Sequence, residues 1–198
     1  MDKTVPVLSI VLMIVDMIAG TAVPAALIVY FRKRFKCSLK PFLVGCLIML
    51  GFALIMEQGV HSIVFATKTG QAMQKNIWIY GIYGGLMAGL FEETGRLFAF
   101  RFLLKRERIN DHNALMYGAG HDGFEMFTIL TLSMINNLVY SIMINNGSMD
   151  SITSTLSGAQ LTQMNTALTQ LATAAPPLFL VSLLERLAAI ASQLALSV

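Results

Sequence analysis

Five apolar stretches, each long enough to cross a bilayer, dominate the 198-residue chain and restrict its fold more than any other feature. They lie near Val7–Phe31, Pro41–Ala66, Ile77–Leu104, Leu115–Ile144 and Pro177–Val198. A hydrocarbon core of about 30 Å needs about 20 helical residues. Lipid offers the backbone no hydrogen-bonding partner, so each segment must satisfy its own amides and carbonyls as a helix. The period-two alternation of a membrane barrel is absent. Composition agrees: 56% of residues are hydrophobic and 13% charged, against about 45–50% and about 25% in soluble domains. These values exclude an ordinary cytosolic globule, a disordered tail and a nucleic-acid-binding domain. The expected fold is all-α, a polytopic membrane helix bundle of about five transmembrane helices in a single domain over residues 1–198.

Charge sets an expected orientation. The net charge is +3, and nine of the 14 basic residues fall in two connections. Arg32, Lys33, Arg34, Lys36 and Lys40 follow the first span; Arg101 sits in the last turn of the third, and Lys105, Arg106 and Arg108 follow it. The positive-inside rule places both connections in the cytoplasm, with the N-terminus outside and the C-terminus inside. The cell membrane is the expected location. The first span is too long for a signal-peptide core of about 7–15 residues, and its basic cluster follows it, so a cleavable signal is not expected. Cys37 and Cys46 make no disulfide framework.

A polar stretch over 145–175 is rich in Ser, Thr, Asn and Gln. Within it Leu161, Met164, Leu168 and Leu171 recur at helical spacing. It reads as an external loop, carrying either a short amphipathic helix or no helix at all.

The functional signal is the set of titratable residues inside apolar spans. The first holds Asp16, the second Glu57 and His61, the third Glu92, Glu93 and Arg96. The fourth holds His121, Asp122 and Glu125, and the fifth Glu185 and Arg186. A central charge costs about 2.5–3.5 kcal/mol on insertion scales, so such residues face the bundle interior, pair, or line water. Glu57 and His61, Glu92 and Arg96, and His121 and Glu125 are each four residues apart, so each pair shares one helical face. Converging faces of this kind build sites in helix bundles. Gly81, Gly84, Gly85 and Gly89 in the third span, and Gly118, Gly120 and Gly123 in the fourth, suit close helix approach. Each pair also has a purely structural reading as a buried ion pair or hydrogen bond. Asp16, alone on its helix, reads as structural or interfacial, and Glu185 and Arg186 point apart toward other helices.

Two carboxylates, a histidine and an arginine in a low-dielectric cavity suit water activation. His61, His121, Glu125 and Glu185 could alternatively hold Zn²⁺ with an open position. The chain lacks HExxH, so a metal-free mechanism and a zinc mechanism both stand.

The run Phe91-Glu92-Glu93-Thr94-Gly95-Arg96, then Gly118-Ala119-Gly120-His121-Asp122-Gly123-Phe124-Glu125, then Glu185-Arg186, resembles the YhfC family of intramembrane peptidases. Glu57-Gln58-Gly59-Val60-His61 fits the same pattern, and the resemblance covers nearly the whole chain. The family is distantly similar to the CAAX-protease and bacteriocin-processing membrane proteases, whose EExxxR spacing is one residue longer. The resemblance implies Glu92 or Glu93 as general base on water, His121 as its assistant, and Arg96 holding the glutamates. It also implies a histidine where this chain has Gln193, and further spans beyond position 198. Glu185 and Gln193 are two turns apart and share a face.

The expected function is therefore hydrolysis of peptide bonds in or near the bilayer. The partners are membrane lipid and a peptide or membrane-protein substrate. A small proton-coupled permease would also bury Asp, Glu and His, but no inverted repeat supports it. A non-catalytic immunity or assembly protein would keep the polar core for packing, and Gln193 favours that reading.

Overall fold

The computed structural model describes residues 4–197. All regular structure among them is helical. Helix α1 runs Val7–Phe35 and α2 runs Lys40–Ala66. Short α3 follows at Lys68–Gln74, then α4 at Ile77–Phe98. Helix α5 spans Asn113–Asn145. Helix α6 covers Asp150–Thr153, α7 Gly158–Thr173 and α8 Pro177–Ser197.

Four of these, α1, α2, α5 and α8, are long and apolar enough to cross a membrane. The chain is a multi-pass membrane protein. The third expected span is also helical, through α4 and a further wide turn at Ala99–Leu103. Its glutamates, tyrosines and glycines leave it less apolar than the other four, although its length suffices.

Local chemistry explains several boundaries. Pro41 sits in the first turn of α2, where its missing amide costs nothing. Asn76 caps α4, its side-chain oxygen accepting from the amides of Trp78 and Ile79 at 3.1 and 3.2 Å. Helix α1 ends with Arg32, Lys33 and Arg34 in its last turn, where cations complement the dipole. Lys36 then takes a left-handed φ of 56°, and the Cys37 amide bonds back to the Phe31 carbonyl. This is a glycine-type helix stop made by lysine.

Three helices contain stretches of i→i+5 bonding, at Met49–Glu57 in α2, at Ala99–Leu103 after α4, and at Phe127–Leu132 in α5. Such wide turns are uncommon and are enriched at functional sites.

The chain forms two compact units: Met1–Pro24 with Met126–Ala189, and Ala25–Glu125 with Ile190–Val198. In the first, Val5, Met13, Met134, Leu171, Ala172 and Phe179 make the core. Asn145 clamps the backbone of Val5 through bonds of 2.8 and 3.1 Å. Helix α7 buries Leu168, Leu171 and Ala172, so the polar stretch carries a packed helix.

In the second unit the two basic connections lock together. Asn110 donates to the Phe35 carbonyl at 3.0 Å, and the Ser38 amide donates to Asn113 Oδ1 at 3.0 Å. The Phe35 and His112 rings stack 4.2 Å apart. Helix α5 meets α2 backbone to backbone. A Cβ on Gly120 would lie 2.1 Å from the Phe42 carbonyl oxygen, and one on Gly45 would lie 2.3 Å from that of Tyr117. Only glycine permits this approach, and it sets the position of His121. A Cβ on Gly118 would lie 2.9 Å from Ser197 Oγ and 3.0 Å from the Gln193 carbonyl oxygen, a less severe approach. By contrast, Gly81, Gly84, Gly85 and Gly89 face open space among the described residues. The small-residue stripe of α4 therefore makes no close helix contact there.

Candidate functional site

The polar groups of the second unit come from four helical segments. Helix α4 brings Glu92, Glu93 and Arg96; α5 brings His121; α2 brings Glu57 and His61; and the last turns of α8 bring Gln193.

His121 is 1% exposed, and neither ring nitrogen has a hydrogen-bond partner among the described residues. Its Nε2 lies 3.9 Å from Glu92 Oε2. That separation is too long for a direct hydrogen bond. It is short enough that a water about 2.8 Å from each atom would subtend about 90° between them. The Glu92 side chain is 20% exposed, and that of Glu93 is 54% exposed. Tyr117, fully buried, packs its ring 5.9 Å from the imidazole.

Arg96 is buried and pairs with Glu93. The i,i+4 spacing pointed instead to Glu92. The guanidinium also donates to Gln193 Oε1, and Gln193 Nε2 donates to Glu92 Oε2. A third, longer bond runs from Arg96 to the Leu196 carbonyl at 3.4 Å. Gln193 thus links Arg96 to Glu92 in a chain that runs Glu93, Arg96, Gln193, Glu92. Helical spacing cannot show this link, because Gln193 and Glu92 are 101 positions apart.

The remaining expected residues divide. Glu57 and His61 share a face and bond at 3.2 Å. His61 Nδ1 also meets the Tyr83 hydroxyl at 3.0 Å. Tyr83 was not among the expected site residues, although its position nine residues before Glu92 on the same helix is visible in the sequence. Glu125 lies near enough to Glu57 and Glu92 for their charges to act on one another. The expected His121–Glu125 face does not supply the imidazole with a hydrogen bond; Glu92 on another helix is the acid it faces. Glu185 belongs to the other compact unit, where it pairs with Arg186. Adjacent on one helix, their flexible side chains reach each other despite the angular offset.

Chemically, the arrangement offers a buried imidazole facing a carboxylate, with a guanidinium tied behind it. Among the described residues, no three His, Cys, Asp or Glu side chains converge closely enough to hold a metal ion.

Comparison with known proteins agrees with the sequence pattern. Residues 19–198 match the model of the family described as YhfC intramembrane metalloprotease. The uncharacterized membrane protein YhfC of Bacillus subtilis (strain 168) is 44% identical over 131 residues, covering 65% of this chain and 50% of that protein. The chain thus spans about half the length of the curated relative it matches. No solved structure matches it. With its motifs, its helices and a family match over most of its length in agreement, this chain belongs to the YhfC intramembrane metalloprotease family.

Proposed function

We propose that the protein is an intramembrane peptidase whose water is activated by Glu92 and His121. One observation carries this reading: a 1% exposed imidazole with no hydrogen-bond partner faces a carboxylate oxygen 3.9 Å away. Unsatisfied buried polar groups are costly, and a reacting water with a substrate carbonyl would satisfy both.

The Glu92 carboxylate takes a proton from water as the water oxygen bonds to the peptide carbonyl carbon. The His121 N–H donates to the oxyanion that forms. Collapse breaks the C–N bond, and the Glu92 proton passes to the leaving amine. Glu93 is the weaker candidate base, because it is more exposed and committed to Arg96. Arg96 and Gln193 hold Glu92 in place.

The basic connections put the amino end of α1 outside the cell and the last turns of α8 inside. His121 then lies eight residues into α5, about 12 Å from its cytoplasmic end. Cleavage is expected in the cytoplasmic half of the cell membrane, on a peptide or membrane-protein substrate that reaches the site from the lipid.

The test uses the full chain in proteoliposomes with quenched-fluorescent peptides built on transmembrane sequences. Glu92→Gln and His121→Ala should each abolish cleavage while thermal unfolding is unchanged, and Glu93→Gln should retain most of it. Undiminished cleavage by Glu92→Gln would remove Glu92 as the base.

A further inference from the structure

The family description includes a metal. A catalytic metal site ordinarily takes three protein ligands from His, Cys, Asp and Glu, with one position open. The described residues do not form such a set. His121 and Glu92 supply one nitrogen and one oxygen donor, 3.9 Å apart. The third side chain at that point is Gln193. Its amide nitrogen donates to Glu92 Oε2, the same oxygen that faces His121. Its carbonyl oxygen is taken by Arg96. A primary amide nitrogen offers two donors and no lone pair for a metal. The Arg96 guanidinium adds a fixed cation next to the carboxylate, which a dication would have to displace or tolerate. A hydrogen-bonded amide already occupies the Glu92 oxygen that faces His121.

We propose that Gln193 makes this reaction centre a metal-free variant of its family's. The Gln193 amide takes on Glu92 the place an ion would take, and the water is left to Glu92 and His121 alone. The proposal rests on Glu92 and His121 being the water-activating pair. It is tested on metal binding, not on cleavage, so the two can fail separately.

The experiment is a cobalt titration of the purified full chain in detergent, read by the visible absorption of tetrahedral cobalt and by metal analysis after zinc loading. The intact chain should show no stoichiometric band or zinc that depends on His121. Gln193→His supplies a second imidazole at the same point. It should gain a saturable cobalt band, with affinity raised on the order of 100-fold and lost again when His121→Ala is added. Stoichiometric zinc in the intact chain that disappears on His121→Ala would overturn the proposal. So would a folded Gln193→His protein that binds cobalt no better than the parent. Should that variant fail to fold, the comparison of the intact chain with His121→Ala still decides. Loss of cleavage in Glu92→Gln with either metal result bears on the peptidase reading alone.

Discussion

Each compact unit sets an acid within a long helix, and the two acids are built in opposite ways. Asp16 of α1 is 0% exposed, and neither carboxylate oxygen has a hydrogen-bond partner among the described residues. Its neighbours one turn away are Met13 and Gly20, both buried. Glu92 of α4, only partly buried, is held by Gln193 and faces His121, with Arg96 and Glu93 behind. Burial alone therefore does not mark a reaction centre in this molecule. What distinguishes Glu92 is that side chains from several helices converge on one of its oxygens.

The largest expected effect tests that contrast directly. Glu92→Gln should lower turnover of the transmembrane peptides by about 10³-fold, within the range for loss of a general base. Asp16→Asn should change it by less than about twofold, as befits a residue outside the site. Initial rates in proteoliposomes at equal reconstitution would check both, and an equal loss in the two variants would erase the distinction.

Next comes the packing that holds the cluster together. Gly120→Val puts side-chain atoms against the Phe42 carbonyl, where even a Cβ would be 2.1 Å away. The expected cost is about 3 kcal/mol, at the upper end for overpacking. Gly85→Ala, with nothing within 4 Å, should instead stabilise by up to about 1 kcal/mol through helix propensity. Reversible unfolding in mixed micelles would measure the difference.

A smaller effect separates a partnered acid from a solitary one. Gln193→Ala leaves Arg96 and Glu92 each short of a partner and should cost about 1–3 kcal/mol. Asp16→Leu removes a buried polar group that has none and should be neutral or stabilising. A loss of stability in Asp16→Leu as large as that in Gln193→Ala would show that Asp16 is also part of a network.

The smallest change sharpens the edge of the cluster. Tyr83→Phe removes the hydroxyl at 3.0 Å from His61 and should cost about 0.5–1.5 kcal/mol of stability, with turnover kept within about tenfold. A complete loss of turnover would move His61 and Tyr83 from the periphery into the chemistry.

The apolar spans and the helical class were legible in the sequence because hydropathy over about 20 residues reports lipid directly. The identity of the polar residues was legible for the same reason: charges are rare in such spans. Their partners were not. Spacing correctly paired Glu57 with His61, where both lie on one helix. It joined Arg96 to Glu92, whereas Glu93 and Gln193 hold Arg96. It joined His121 to Glu125, whereas the imidazole faces Glu92 across helices. Glycines show the same limit. The α4 stripe and the α5 glycines look alike in sequence, yet among the described residues Gly118 and Gly120 have a neighbouring backbone to meet and Gly81, Gly84, Gly85 and Gly89 do not.

The wide turns of α2, α5 and the end of α4 carry a further consequence. An i→i+5 turn holds one residue more than an ordinary one, so it shifts the angular phase of everything beyond it. Met49–Glu57 ends on Glu57, Ala99–Leu103 begins three residues after Arg96, and Phe127–Leu132 begins two after Glu125. Each acts as a slip joint beside a polar group of the second unit. The stretch beyond such a turn can be rephased by losing or gaining a single amino acid there, while the stretch before it keeps its aim.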